Sequence, residues 1–403
     1  MIIPMYKNFT KKVHSGTHIA FFVFCLASVC VIFSGCNSHN AVSIQDWVES
    51  IGLKIIVTKD STVYKNNLHA EGIDSDAVVS LLTDIESGKW VNVHGLLIIK
   101  DGCVIAEEYW NGSHASKLHD IRSASKSIAS ILTGIAAEKG FISSAQEKVY
   151  DFYPEYEPSF PLHLSQEQAL LWKNSLTIEH LLNMTSGYEY DDWNENFRGE
   201  MEIAKSRNWL KFAAESEISK RPGTFYAYNT ASLVLLSGII SQSSQMPMKE
   251  FAQKELFTPL GIDRWKWFSR GGVVYMGGNL WLTLRDMAKI GLLMLNDGVW
   301  KGQRLVPHEW IMEAEKELTA DEPSWKKHGF YHHYLWWQFD ENIDGKRIRA
   351  FYASGNGGQT IMFIPDLNMV IAMTTGNYNT PLEGQSVEII REIVIPATLY
   401  PVQ

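Results

Sequence analysis

The sequence predicts a mixed α/β fold of the α+β kind, an antiparallel β-sheet flanked by terminal helices, with a mostly helical insertion at about residues 141–300. Three observations predict it. Apolar runs at 95–100 and 103–109 are joined by Asp101-Gly102, a strong two-residue hairpin signal. Two more apolar runs, 360–364 and 369–375, flank Pro365-Asp366 near the other end of the chain. Between these ends the apolar periodicity is helical, so strands from both ends close one sheet around a helical middle.

The helices follow in order. Ile128, Ile131, Leu132, Ile135 and Ala136 recur at helical spacing, with Gly140 beyond them as a stop. Further helices are predicted at 202–214, 231–242, 248–257 and 285–295, the last opened by a capping box at Thr283 and Asp286. A terminal helix carries Val387, Ile390 and Val394 on one face and is predicted to stop at Pro396. No fixed-period repeat and no linker divides residues 76–403, which read as one compact domain with an internal cleft.

The N-terminus belongs to a different class. Lys7, Lys11 and Lys12 precede residues 19–33, an uncharged apolar run, and Ser34, Gly35 and Cys36 follow at once. A basic start, an apolar stretch of this length and small residues at the cut form a secretory signal, too short for a membrane span of about 20 residues. Phe33-Ser34-Gly35-Cys36 resembles the lipobox of bacterial lipoproteins, although Leu is usual where Phe33 stands. The reading is a signal peptide at 1–35, lipid on Cys36, a tether and approach segment at 36–75, and an exported protein held on a cell-envelope membrane. An ordinary signal peptide or an uncleaved anchor is the plainer alternative.

The 403 residues include 36 Lys+Arg, 45 Asp+Glu and four cysteines, for a formal charge of −9. An acidic balance excludes nucleic acid as a partner. Cleavage before Cys36 removes Cys25 and Cys30 and lipid occupies Cys36. Only Cys103 then remains, so no internal disulfide can form and Cys103 reads as a small buried hydrophobe.

Three stretches could carry chemistry. In Arg122-Ser123-Ala124-Ser125-Lys126-Ser127, Ser123 and Lys126 share one face at the start of a helix. A serine hydroxyl needs a nearby base to become a nucleophile, and a desolvated lysine can serve. The helix N-terminus supplies free N–H groups and a positive dipole suited to an oxyanion. The spacing alone is equally that of a capping serine and a surface lysine. The second stretch, Pro222-Gly223-Thr224-Phe225-Tyr226-Ala227-Tyr228-Asn229-Thr230, sets Tyr228 before a helix, where a phenol near a lysine can act as acid or base. The third, Ser354-Gly355-Asn356-Gly357-Gly358-Gln359, leads into a strand and lets backbone N–H groups approach a ligand.

Together these stretches resemble the β-lactamase-related serine hydrolases, the superfamily of class C β-lactamases, DD-peptidases and esterases. The resemblance covers roughly residues 90–380. It includes His180-Leu181-Leu182-Asn183-Met184-Thr185-Ser186-Gly187, Glu255-Leu256-Phe257-Thr258-Pro259-Leu260-Gly261-Ile262, Asp286-Met287-Ala288-Lys289-Ile290-Gly291 and Tyr334-Leu335-Trp336-Trp337. It implies a β-lactamase/transpeptidase-like fold and a serine hydrolase acting on a small-molecule ester or amide. Ser123 is then the acylated nucleophile, Lys126 its activating partner and Tyr228, rather than Tyr226, the catalytic tyrosine. The oxyanion hole would use the N–H of Ser123 and one from 355–358, at Asn356 or Gly357.

The sequence departs from the family pattern in two places. The third motif, K-T-G or H-x-G, is missing near residues 350–353, and Thr230 replaces the Asn of the tyrosine motif. The missing cation disfavours penicillins and D-Ala-D-Ala peptides, and the GxGGQ ending resembles the branch of esterases and 6-aminohexanoate-oligomer amidases. Residues 229–248 hold no Asp or Glu that could anchor a cationic substrate.

The other signals are weaker. His328, His332 and His333 cluster in sequence, but HExxH and a Cys/His set are missing, so neither a metal nor a cofactor is implied. Trp265, Trp267, Trp336 and Trp337 could line an apolar cleft or pack in the core. The rival readings are an inactive lipid-anchored binding or sensor protein on the same fold, and a β-lactamase or DD-peptidase proper.

Overall fold

The computed structural model describes residues 44–55, 72–193, 200–318, 326–327, 330–343 and 345–399. The signal segment, Cys36, most of the tether and His328 lie outside the described residues.

Seven longer strands build the sheet: β1 (Val93–Lys100), β2 (Cys103–Tyr109), β3 (Phe330–His333), β4 (Trp336–Ile343), β5 (Lys346–Gly355), β6 (Gln359–Ile364) and β7 (Met369–Thr375). They lie in the order β2-β1-β7-β6-β5-β4-β3, antiparallel throughout. The pairs Lys54–Ile55 and Lys326–Lys327 extend the two edges, making nine strands, with Lys54–Ile55 running parallel to β2. The strands of the chain's two ends therefore meet at β1 and β7, the third and fourth of the nine strands. The β1–β2 hairpin turns at Asp101 and Gly102, with φ of 50° and 73°. Both lie in the left-handed region that a two-residue hairpin demands. Asn368, which ends the β6–β7 turn, donates to Asp101 Oδ1 at 3.1 Å and ties the two turns together.

Alternation along the central strands divides the core into two layers. Leu97, Ile99, Ile361, Phe363 and Val370 face the helical insertion. Leu96, Ile98, Met362 and Ile371 face the terminal helices, α2 (Ser75–Glu86) and the C-terminal run, while α1 (Ile44–Ser50) brings Trp47 to the first layer. In the first layer lie α3 (Ser125–Glu138), α4 (Ala231–Ser244) and α5 (Leu284–Leu295). Gly291 lets α5 lie directly on β7, because a Cβ there would come within 2.6 Å of Val370. α3 is buried all round from Ser125 to Ala136, so its polar side chains need internal partners. Ser127 donates to the Leu335 carbonyl at 2.6 Å and Thr133 to the Ala129 carbonyl at 2.8 Å. Cys103 is a buried thiol.

Two predicted helices differ from expectation. The 202–214 helix is two, Glu200–Lys205 and Trp209–Ala214, because Asn208 leaves the helical conformation and caps the second through Lys211 N–H at 3.0 Å. The C-terminal helix does not stop before Pro396. Gln385–Ile389 passes through a π-turn at Ile390–Val394 into Ile395–Ala397, where Pro396 falls at a first-turn position that needs no N–H.

Candidate active site

Ser123 sits in a 3₁₀ turn, Arg122–Ala124, that runs straight into α3. One turn on, the buried Lys126 directs its ammonium back, donating to Ser123 Oγ at 3.3 Å and to the Gly277 carbonyl at 2.7 Å. The carbonyl fixes where the ammonium stands, and the longer contact leaves it beside the hydroxyl. Gly277 has to be glycine here, since a Cβ would fall 2.3 Å from Thr230 Cγ2. Trp267 buttresses the same backbone by donating to the carbonyls of Tyr275 and Gly278 at 3.0 and 3.1 Å.

Tyr228 is buried and lies just before α4, its ring centroid 4.8 Å from Lys126 Nζ. Trp193 stacks on this ring with centroids 4.4 Å apart and planes 4° from parallel. Trp337 and His332 complete the surround at 6.3 and 6.0 Å. Burial, then the charges of His333 and Lys126, pushes the His332 imidazole down to about 3, so it stays neutral at ordinary pH. Tyr226 lies behind, its hydroxyl 3.3 Å from His332 Nδ1.

The glycine-rich stretch approaches from the end of β5. Gly355 abuts the turn that carries Ser123, where a Cβ would sit 2.1 Å from the Ile121 carbonyl oxygen. Asn356 exchanges two hydrogen bonds with Asn379, donating at 2.9 Å and accepting at 3.0 Å. Gly357 turns with φ of 89° against the Tyr378 ring.

Ser123, Lys126, Tyr228, Ser354, Gly355 and Asn356 line one cavity of 620 Å³, and Gly357 is not among its lining residues. That volume lies within the range of about 300–1,000 Å³ typical of small-molecule pockets. The residues of β5 that reach the cavity are Tyr352, Ser354 and Gly355, which overlap the 350–353 stretch expected from sequence at Tyr352 and run beyond it. No lysine or histidine occupies either stretch. Of the four tryptophans singled out, Trp337 lines the cavity. Trp336 is core, edge-on to Phe363, and Trp265 donates to Gln253 at 2.6 Å. His332 and His333 are buried, and among the described residues no three His, Cys, Asp or Glu are grouped to hold a metal.

Several residues escaped the sequence reading. Asp192 lines the cavity and accepts from Thr230 Oγ1 at 2.8 Å, so the Thr that replaces Asn orients a carboxylate. The opposite wall comes from the C-terminal run, with Glu383, Glu388 and Glu392 beside Arg391. The lining thus carries four carboxylates against two cations, Lys126 and Arg391. Arg391 is itself paired with Glu341 and lies over Phe330. The one visible signal was the dense aromatic and acidic run from Tyr188 to Trp193, directly after Gly187.

A family model described as Beta-lactamase matches residues 91–393. A 6-aminohexanoate-dimer hydrolase of Paenarthrobacter ureafaciens is 25% identical over 255 residues, which span 61% of this chain and 64% of that protein. The chain therefore covers less than two thirds of that relative's length. Among solved structures, EstCE1, a hydrolase with promiscuous acyltransferase activity, aligns with a TM-score of 0.63 at 13% identity, over 81% of this chain and 99% of that one. The penicillin binding protein from Bacillus halodurans aligns at 0.57 and 17% identity, over 76% and 98% of the two chains. At such identities the structural likeness speaks for the fold alone. The family match extends over well more than half of the sequence, and the chain belongs to the beta-lactamase family.

Proposed function

We propose that the protein is a serine hydrolase cleaving a neutral or cationic carboxylic ester or linear amide through an acyl-Ser123 intermediate. The observation that carries this reading is the Lys126 ammonium, held between Ser123 Oγ and the Gly277 carbonyl on the wall of the cavity. With Lys126 in its neutral amine form, Ser123 Oγ attacks the substrate carbonyl carbon as its proton passes to Nζ, and Tyr228 relays a proton from there to the departing alkoxide or amine, which restores the amine. The acyl group remains on Oγ until water attacks it, returns a proton to the serine and releases the carboxylic acid. The developing oxyanion meets the Ser123 N–H at the start of α3 and an N–H of the 355–357 stretch.

The substrate class follows from charge. Four lining carboxylates against two cations, with no cation at residues 350–355 where β5 meets the cavity, disfavour a substrate carboxylate such as that of a penicillin. The name of the 25%-identical relative, an aminohexanoate-dimer hydrolase, supports amides, and an acyl-serine site acts on esters by the same chemistry. Export and lipid attachment at Cys36 are part of the same proposal and rest on the N-terminal residues. Among the described residues no helix is long and apolar enough to cross a membrane.

A panel of p-nitrophenyl esters, linear amides and nitrocefin, run on wild type and Ser123→Ala, tests the reading. Ester or amide turnover that disappears in Ser123→Ala, with nitrocefin untouched, is the expected result. Efficient nitrocefin hydrolysis would overturn the substrate class. No turnover and no fluorophosphonate labelling of wild type would favour a binding protein.

A further inference from the structure

Arg122 stands immediately before Ser123 with φ of 52°, in the left-handed region that L side chains rarely adopt. Such a conformation persists only where the surroundings over-determine it. Here they do. The buried Asp120 accepts the Arg122 backbone N–H on Oδ1 at 3.0 Å, and its Oδ2 lies 3.3 Å from Arg122 Nε. The guanidinium lies over the Tyr378 ring, 5.0 Å from its centroid. Tyr378 in turn fills the space beside Gly357, where a Cβ would come within 2.4 Å of the ring. On the other side, the Arg122 Cβ is 3.1 Å from where a Cβ on Gly355 would stand.

Arg122 therefore packs against Gly355 directly and against Gly357 through the Tyr378 ring, and is joined by peptide bond to Ser123. Neither Arg122 nor Tyr378 lines the cavity, so neither is placed to touch a substrate. We infer that Arg122, locked by Asp120 and Tyr378, is a positioning residue that sets the gap between the Ser123 N–H and the 355–357 backbone. This rests on the acyl-serine reading above, because only an oxyanion held between those two elements needs the gap fixed. A planar guanidinium suits the task, since it stacks on a ring and presents its N–H fork to a carboxylate at once. A lysine can form the ion pair but not the planar stack.

The test compares kcat and KM on a p-nitrophenyl ester for the full chain, normalised to sites titrated with a fluorophosphonate. Arg122→Ala and Tyr378→Leu should each lower kcat by about tenfold to a hundredfold with KM within about threefold, less than loss of a whole oxyanion donor. Arg122→Lys should fall between, and Tyr378→Phe, which keeps the ring, should recover most of the rate. A merely structural role would lower the melting temperature and leave kcat per titrated site alone. If Arg122→Ala does not fold, Tyr378→Leu against Tyr378→Phe decides the matter. Wild-type kcat in the clamp variants beside an inactive Ser123→Ala would overturn the clamp only. Turnover by Ser123→Ala would overturn the reading of the site itself.

Discussion

The indole of Trp193 lies face to face with the phenol of Tyr228, 4.4 Å between centroids and 4° from parallel. Trp193 is itself 54% exposed, so it is the layer between this face of the proposed proton carrier and water. A stacked pair of this kind contributes about 0.5–1.5 kcal/mol beyond its buried area. Trp193→Ala should therefore cut kcat/KM on an ester by about fivefold, while Trp193→Phe stays close to wild type. Equal activity in the alanine variant would show that the stack is idle.

Gly277 links packing to chemistry. Its carbonyl holds Lys126, and Thr230 leaves no room for a methyl group. Gly277→Ala should cost about 1–3 kcal/mol of stability, as overpacking does, and should slow turnover by moving the lysine's acceptor. A melting curve and a kcat measurement on the same preparation check both halves.

Acid should destabilise the fold through its buried imidazoles. Burial, followed by neighbouring positive charge, pushes His332 down to about 3 and His119 down to about 4. An unfolded histidine binds its proton at about 6.5, so between those values the unfolded chain holds more protons than the folded one. Stability is then fully present above pH of about 6.5 and is lost as pH falls towards 4. Melting temperatures should rise from pH 4.5 to 7, and His332→Gln should flatten the slope. Parallel curves for the two proteins would contradict this.

Lipid attachment has its own readout. In a bacterial host fed a tagged fatty acid, the wild-type chain should take up label and fractionate with membranes. Cys36→Ala should do neither. Labelling that survives the substitution would remove Cys36 from the proposal.

Much of this architecture is legible in the sequence because its determinants are local. Asp101-Gly102 makes the hairpin through its own dihedral preferences, and the family stretches around Ser123 and Tyr228 lie on the elements that bound the cavity. What stayed hidden depends on contacts distant in sequence. Lys126 and its Gly277 acceptor are 151 residues apart, and Asp192 meets Thr230 across 38. The turn between β3 and β4 uses Tyr334 and Leu335 at φ of 48° and 65°, where no turn residue advertises it. It is held from outside, by Asn183 on the Tyr334 N–H and by Ser127 on the Leu335 carbonyl. The break before Asn208 was readable from its capping side chain, but the apolar periodicity across 202–214 masked it.

The central claim is that Ser123 carries the acyl group. Peptide mapping by mass spectrometry after fluorophosphonate treatment tests it most directly. The account predicts one adduct, on the peptide containing Ser123, absent from Ser123→Ala and formed far more slowly in Lys126→Ala. An adduct on another residue, or undiminished labelling of Ser123→Ala, would contradict it.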